Sequence, residues 1–372
     1  MPSVVAVCFL RMGLETMLSP GMIPLNLMGV EKSLKVAVIG AGHMGRHHAR
    51  IYSELPDCRL VAVVDKNLDR AGEIARQYGS HAYTDLAGLT ERLDAVSVAV
   101  PTVFHAEVAI PLLEKRIPVL VEKPLAPDTN SARELLQTAQ GNQCLLQVGH
   151  SERFNPVVQA LLKMEVRPRF IETQRISPFT FRSADIGVVF DMMIHDIDIV
   201  LHLVRHKDYL IDAVGVSVLG PTEDVANARV RFSDGTVVNM TASRLALKTE
   251  RRIRVFCPTA YLSMDYQKRT GIAIKVADNL DLIRLARERN FEDLSQMASL
   301  DFGSMVKIEP LMVNSVEPLR AEIEAFLHSV RTGAAPAVSA EDGYAAVEMA
   351  ERITADVRAH DWGATISSDA AS

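Results

Sequence analysis

Cysteine is scarce in this chain. Its four cysteines, Cys8, Cys58, Cys144 and Cys257, lie far apart and none belongs to a Cys-x-x-Cys pair. That spacing excludes a disulfide framework or a zinc ribbon and fits a reducing cytosol, so a cytoplasmic protein is expected. Long apolar runs are missing near the start, where the stretch Val4 to Leu10 is too short to span a bilayer. The same region has neither a clear basic n-region nor a small-residue cleavage site. With Met12, Met17, Met22 and Met28 as later starts, residues 1–33 read as a poorly ordered or misassigned leader. An excess of positive charge is absent as well. The net charge is −6, which offers no field for nucleic acid or an anionic membrane. Internal repeats, charge blocks and low-complexity tracts are also lacking. What is present is an ordinary globular composition, 48% hydrophobic and 23% charged over 372 residues, enough for about two domains.

From Leu34 the pattern becomes regular. "LKVAVIG" is a short β-branched run ending in glycine, followed by a helical stretch from His43 to Glu54. "RLVAVVD", "DAVSVAVP", "PVLVEKP" and "CLLQVGH" read as further strands. They alternate with the helical stretches "NLDRAGEIARQYG", "HAEVAIPLLEKR" and "NSARELLQTAQ", the last capped by Asn130 or Ser131. Alternation of this kind specifies a doubly wound parallel sheet, the Rossmann arrangement, over residues 34–153. The rhythm then changes. One helix over Val189–Val204 precedes "AVGVSVLG", "NARVRFSDG", "VVNMTASR", "RRIRVFCP" and "YLSMDY". Strands in succession predict an α/β domain with an open, largely antiparallel sheet over residues 154–317. A helical segment at 318–360 and a loose tail at 361–372 complete the chain.

Gly40-x-Gly42-x-x-Gly45 follows the first strand and opens the first helix, the context that gives this spacing its meaning. Gly40 permits a tight turn, Gly42 lets a pyrophosphate approach the backbone, and Gly45 lets helix and strand pack closely. The helix N-terminus, with His43 and Met44, faces the phosphates. Asp65 ends the second strand, where a carboxylate accepts from a ribose diol and repels a 2′-phosphate, favouring NAD over NADP. Lys66 beside it weakens that preference. Lys123, in "VEKP", ends a strand at the side of the sheet where ligands collect. An ammonium there suits the oxygen of a substrate hydroxyl, and Glu122 suits either Lys123 or the cofactor.

The stretch "VFDMMIHDIDIVLHL" is apolar yet carries Asp191, His195, Asp196, Asp198 and His202. At 100° per residue Asp191, His195, Asp198 and His202 share one helix face, and Asp196 lies off it. Read alone, the stripe fits metal ligands, a catalytic pair, or core residues that satisfy one another.

These motifs, together with "VPTVFHAEVA", occur in the order and at the spacings of the glucose–fructose oxidoreductase / inositol dehydrogenase (Gfo/Idh/MocA) family, which the chain resembles from Leu34 to about Arg358. The resemblance implies a metal-free, NAD-dependent dehydrogenase and a homo-oligomer, dimer or tetramer, built through the second sheet. It implies catalytic roles for Lys123, Asp191 and His195, and a cofactor-contacting turn containing Pro101, Thr102 and His105. It also allows a cis Lys123-Pro124 bond. "GHSERFNP" and "ETQRISPFTFRSADIG" are similar to a bacterial subgroup that oxidises the C3 hydroxyl of UDP-N-acetylglucosamine. A sugar nucleotide brings two phosphates, for which Arg153, Arg175, Arg182 and Arg244 are the candidate contacts, with Asn155 a further candidate for binding the substrate. A free sugar or polyol substrate, inositol-type, is the alternative. A non-catalytic NAD-binding regulator is the rival from another class.

Overall fold

The computed structural model describes residues 33–88, 90–180, 186–276, 306–311, 313 and 315–360. Expectations for residues 1–32, Arg182 and the 361–372 tail lie outside the described residues.

The first sheet contains β1 (Leu34–Ile39), β2 (Cys58–Val64), β3 (His81–Tyr83), β4 (Ala95–Val98), β5 (Val119–Glu122) and β6 (Leu146–Gly149). All its neighbours are parallel, in the order β3-β2-β1-β4-β5-β6. The chain reverses its direction of travel across the sheet between β1 and β4, which opens a crevice at the carboxyl ends of the strands. Helices α1 (His43–Glu54), α2 (Leu68–Gln77), α3 (His105–Glu114) and α4 (Thr129–Gly141) alternate with the strands. The strands are buried on both faces, which is why they read as continuous apolar runs. The α4 cap differs from expectation. Asp128 is the N-cap and accepts from the Ser131 N–H at 2.8 Å, two residues before the segment that reads as helical.

The second sheet has eight strands, ordered β14-β13-β12-β11-β7-β10-β9-β8. They are β7 (Phe170–Ile176), β8 (Tyr209–Val216), β9 (Val225–Phe232), β10 (Val237–Ser243), β11 (Glu250–Phe256), β12 (Ala260–Asp265), β13 (Thr270–Val276) and β14 (Val306–Pro310). Only β7 and β10 pair in parallel; the other neighbours are antiparallel. β7, near the centre, is a strand that the sequence pattern did not reveal. Alternation fixes which face is inward. In β10, Val238, Met240 and Ala242 are fully buried, while Asn239 and Thr241 face outward.

After β6 come α5 (Pro156–Leu162) and, beyond β7, a long helix that departs from the expected continuous α form. Its first five residues, Val189–Met193, form a π turn, and only then does α6 (Ile194–Val204) begin. The wider turn removes the simple 100° relation between Asp191 and His195. The C-terminal helices α7 (Pro318–Thr332) and α8 (Ala340–Ala359) do not stand apart. Leu319, Ile323, Phe326 and Leu327 of α7 join the cluster formed by β1, β2, α1 and α2. α8 packs on α4, α6 and β8. No described helix is long and apolar enough to cross a membrane.

Candidate active site

The glycine motif sits where its residue types require. Gly40 has φ +102°, and a Cβ there would meet the Ala99 carbonyl at 2.5 Å. A Cβ on Gly45 would lie 1.7 Å from the Gly40 oxygen. Gly42 is different: nothing comes within 4 Å of its Cβ position, so the space there is open. Gly42 is also the N-cap of α1 and offers no side-chain cap, which leaves the first N–H groups of the helix for an anion. A dinucleotide pyrophosphate fits this cradle of backbone donors and open space. The side chains between the glycines are occupied elsewhere. Met44 packs on the core, and the His43 ring meets His47 edge-on at 4.7 Å.

Asp65 closes the cradle from β2. It accepts from the Ala41 N–H at 2.8 Å and the Asn67 N–H at 2.9 Å. Lys66 turns away, its ammonium 5.0 Å from the centre of the Phe104 ring. Pro101 and Thr102 lead into the short 3-10 turn Thr102–Phe104. His105, expected to touch the cofactor, is instead buried. Its Nδ1 faces the Pro124 carbonyl at 3.0 Å and its Nε2 the Val100 carbonyl at 3.0 Å. The imidazole braces the turn after β4 against the loop after β5.

Lys123 projects from the end of β5, and its bond to Pro124 is cis. The ammonium donates to the Asp191 carbonyl at 2.8 Å and lies 3.7 Å from the Asp191 carboxylate. Burial lowers its pKa, opposed by the charges of Asp191 and Glu122. The π turn that supplies Asp191 is held by Glu223, whose carboxylate accepts from the Val189 N–H at 3.2 Å. His195 stands on the first turn of α6. Its Nδ1 is shut in without a hydrogen-bond partner, so Nε2 is the nitrogen left for the cleft. Burial, reinforced by Lys123 and Arg175, pushes its pKa well below 6.5. The imidazole is therefore neutral at physiological pH.

Lys123, Asp191 and His195 meet in one cleft of about 400 Å3, walled by Ser177, Thr180, Arg244, Thr249 and Arg251 among others. The expected phosphate contacts fare differently. Arg153 is buried and forks onto Asp198 from its Nε and Nη2, with Nη1 reaching Asp342 and the His202 Nδ1 at 3.1 Å each. Asn155 caps α5 through the Val157 N–H and donates to the Tyr266 carbonyl. Both are structural, and neither lines the cleft. Arg175 does line it, but both prongs are held by Asp196 at 3.0 and 2.9 Å. Arg244 reaches Asp224 at 2.5 Å and the Ile186 carbonyl at 2.7 Å. Arg251, which the sequence did not single out, shares Glu152 with Arg175, at 3.4 and 3.6 Å. It is 44% exposed and so the most accessible of these arginines.

The polar stripe is thereby divided. Asp196 and Asp198 neutralise buried arginines from β7 and from the segment after β6, which clamps α6 from two sides. His202 joins the Arg153 cluster. Asp191, by contrast, lies beside the Lys123 ammonium. Elsewhere among the described residues, His48, Glu122 and Glu322 bring a ring nitrogen and two carboxyl oxygens together in the core. His150, at the end of β6, was also not anticipated: it is buried, with both ring nitrogens unpartnered, and its pKa is lowered by burial.

Comparison with known proteins follows these boundaries. Residues 34–150 match the model of an oxidoreductase family with an NAD-binding Rossmann fold, and residues 163–263 that of the GFO/IDH/MocA C-terminal domain. The chain is 37% identical over 238 residues to UDP-N-acetylglucosamine 3-dehydrogenase of Acidithiobacillus ferrooxidans, covering 64% of this chain and 75% of that protein. It is 25% identical over 336 residues to an inositol 2-dehydrogenase of Rhizobium meliloti, covering 86% and 95%. A solved structure of the Acidithiobacillus ferrooxidans enzyme superposes with a TM-score of 0.78 at 30% identity, over 88% of this chain and 98% of that one. Levoglucosan dehydrogenase in complex with NADH and levoglucosan shares the fold, with a TM-score of 0.75 at 17% identity over 88% and 98%.

Proposed function

Because the chain belongs to the GFO/IDH/MocA family of NAD-dependent sugar oxidoreductases, we propose that it oxidises the C3 hydroxyl of a UDP-N-acetylhexosamine, with Lys123, Asp191 and His195 as the working side chains. The observation that carries this reading is their convergence: a half-buried ammonium, a carboxylate and a neutral imidazole face one cleft beside the nucleotide cradle. NAD would supply the hydride acceptor for the sugar carbon, and the chain's own residues manage the proton and the charge. His195 Nε2 accepts the hydroxyl proton. Lys123 donates to the same oxygen and stabilises the charge that grows on it. Asp191 orients Lys123 and the neighbouring hydroxyl. Gly42 and the start of α1 hold the pyrophosphate, and Asp65 selects NAD.

The substrate class follows the resemblance to UDP-N-acetylglucosamine 3-dehydrogenase and the cations of the cleft. Arg251 replaces Arg153 as the phosphate contact, because its partner is shared and its guanidinium is accessible. A screen of UDP-N-acetylglucosamine, free N-acetylglucosamine and myo-inositol with NAD and NADP tests this. Reduced-cofactor absorbance should rise with the UDP-sugar and NAD. Turnover of myo-inositol with none of the UDP-sugar would establish the inositol-type alternative. The pH profile of oxidation provides a second check. His195 must be neutral, so the acid limb of kcat/KM should fall below 6.5, the ordinary histidine value. Lys123 must be charged, so the alkaline limb should fall below 10.5. An acid limb at or above 6.5 removes His195 as the base.

The assembly we favour is a cytoplasmic homo-oligomer through the outer face of the eight-stranded sheet. That face carries a shallow polar depression formed by Glu172, Gln174, Asn227, Asn239, Arg252 and Arg254, among others. Its long row of outward side chains suits pairing with a second copy.

A further inference from the structure

A buried polar network lies behind the reaction cleft, inside the nucleotide-binding half. His48 of α1 is fully buried. Its Nδ1 lies 3.0 Å from the Ser97 hydroxyl of β4, which in turn lies 2.7 Å from the Tyr52 hydroxyl. Its Nε2 lies 2.8 Å from one oxygen of Glu122, the last residue of β5. The other Glu122 oxygen accepts from the Lys123 N–H at 3.3 Å. Opposite stands Glu322 of α7, fully buried, with neither carboxyl oxygen hydrogen-bonded. One ring nitrogen of His48 and one carboxyl oxygen each of Glu122 and Glu322 lie within 4.8 Å of one another.

Two carboxylates cannot both be ionised in so small and dry a space. Their surroundings decide which one keeps the charge. Glu322 has no donor, and burial pushes its pKa well above the ordinary range, helped by Glu122 and Asp198. Burial opposes the charge of Glu122 too, but the His48 hydrogen bond, with the charges of His48, Lys123 and His105, outweighs it. The result is one carboxylate, directly behind the lysine, and one neutral acid.

We propose that His48 is a positioning residue of the dehydrogenase: it keeps Glu122 ionised, with Glu322 neutral opposite, so that Lys123 meets the substrate oxygen as an ammonium. This rests on the reading that Lys123 acts as an ammonium. The other groups that bear on Lys123 are Asp191 from the π turn, Arg175 from β7, His150 from the end of β6 and His195 from α6. All four stay in place when the network is altered.

The test uses the full-length protein and two readouts. The first is the pH midpoint of Lys123 labelling by trinitrobenzenesulfonate, read by peptide mass spectrometry without substrate. The second is the alkaline limb of kcat with UDP-N-acetylglucosamine and NAD. Glu122→Gln should move the labelling midpoint down by about one pH unit, the effect of removing one nearby opposite charge. His48→Leu, which removes the donor to Glu122, should move it in the same direction, because an unsupported Glu122 takes up a proton. Glu322→Gln, neutral for neutral, should leave it in place. The Glu322 carboxyl ionises in the unfolded chain but not in the fold, so it costs stability increasingly as pH rises above its unfolded pKa. Glu322→Gln should therefore raise the melting temperature at alkaline pH, with a gain that shrinks in mild acid. Circular dichroism and NADH fluorescence establish that the variants fold. A folded His48→Leu with the wild-type labelling midpoint overturns the proposal, as does a Glu322→Gln midpoint that falls with that of Glu122→Gln. If His48→Leu does not fold, His48→Met serves as the variant without a donor. An active Lys123→Met instead overturns the reading of Lys123, a separate outcome.

Discussion

Replacing Lys123 by methionine should lower kcat roughly a hundred- to a thousandfold, the range for loss of a preorganised donor to a developing oxyanion. Methionine keeps most of the stem and removes the ammonium. Asp191 would then face the cleft without its cation. NADH binding, measured by fluorescence, should change little, because the cradle is made by Gly42 and the start of α1. Turnover within a few-fold of wild type would mean that the oxygen is polarised by another group. Arg175 is the nearest rival in the cleft, but both its prongs are held by Asp196.

The largest effect on stability is expected at Arg153. Arg153→Met should destabilise the fold by about 3–5 kcal/mol, the usual result of stripping one partner from a buried ion pair. The side chains of Arg153 and Asp198 are 5% and 1% exposed. Methionine would leave the Asp198 carboxylate in the core without its guanidinium, and Asp342 would lose the same partner. Denaturant unfolding measures the loss. Pairing the change with Asp198→Leu should recover part of it, since no buried charge is then stranded. A variant of wild-type stability with a raised KM would restore Arg153 to the phosphate site.

Arg153 shows where the sequence stops being informative. Arginine next to a family motif in a sugar-nucleotide enzyme invites a phosphate, and nothing local says otherwise. Its partners Asp198 and Asp342 lie 45 and 189 residues away. Five strands of the first sheet were legible, the three-residue β3 excepted, because their signals are local: buried β-branched runs, glycines at a strand–helix junction, helices of amphipathic period. β7 was not, because Phe170–Ile176 mixes charged, polar and apolar residues in a strand with one buried face. The π turn leaves no compositional mark either, since one extra residue per turn changes no residue type. Lys123, Asp191 and His195 were identifiable as a set only through family resemblance. Ser177, Thr249 and Arg251 enter the cleft because β7 and β11 are neighbours in the sheet, an order that no reading along the chain supplies.

The return of α7 to the first sheet bears on how the chain is made. Val36, Val38, Leu60 and Val63 find Ile323 and Phe326 as partners in one apolar cluster, and those two residues leave the ribosome nearly three hundred positions later. Until then one face of the nucleotide-binding sheet is only partly roofed, by α1 and α2. Residues 34–150, although matched by a family model of their own, lack that part of the roof. Expressed alone they would present an apolar slot to any neighbour that could fill it.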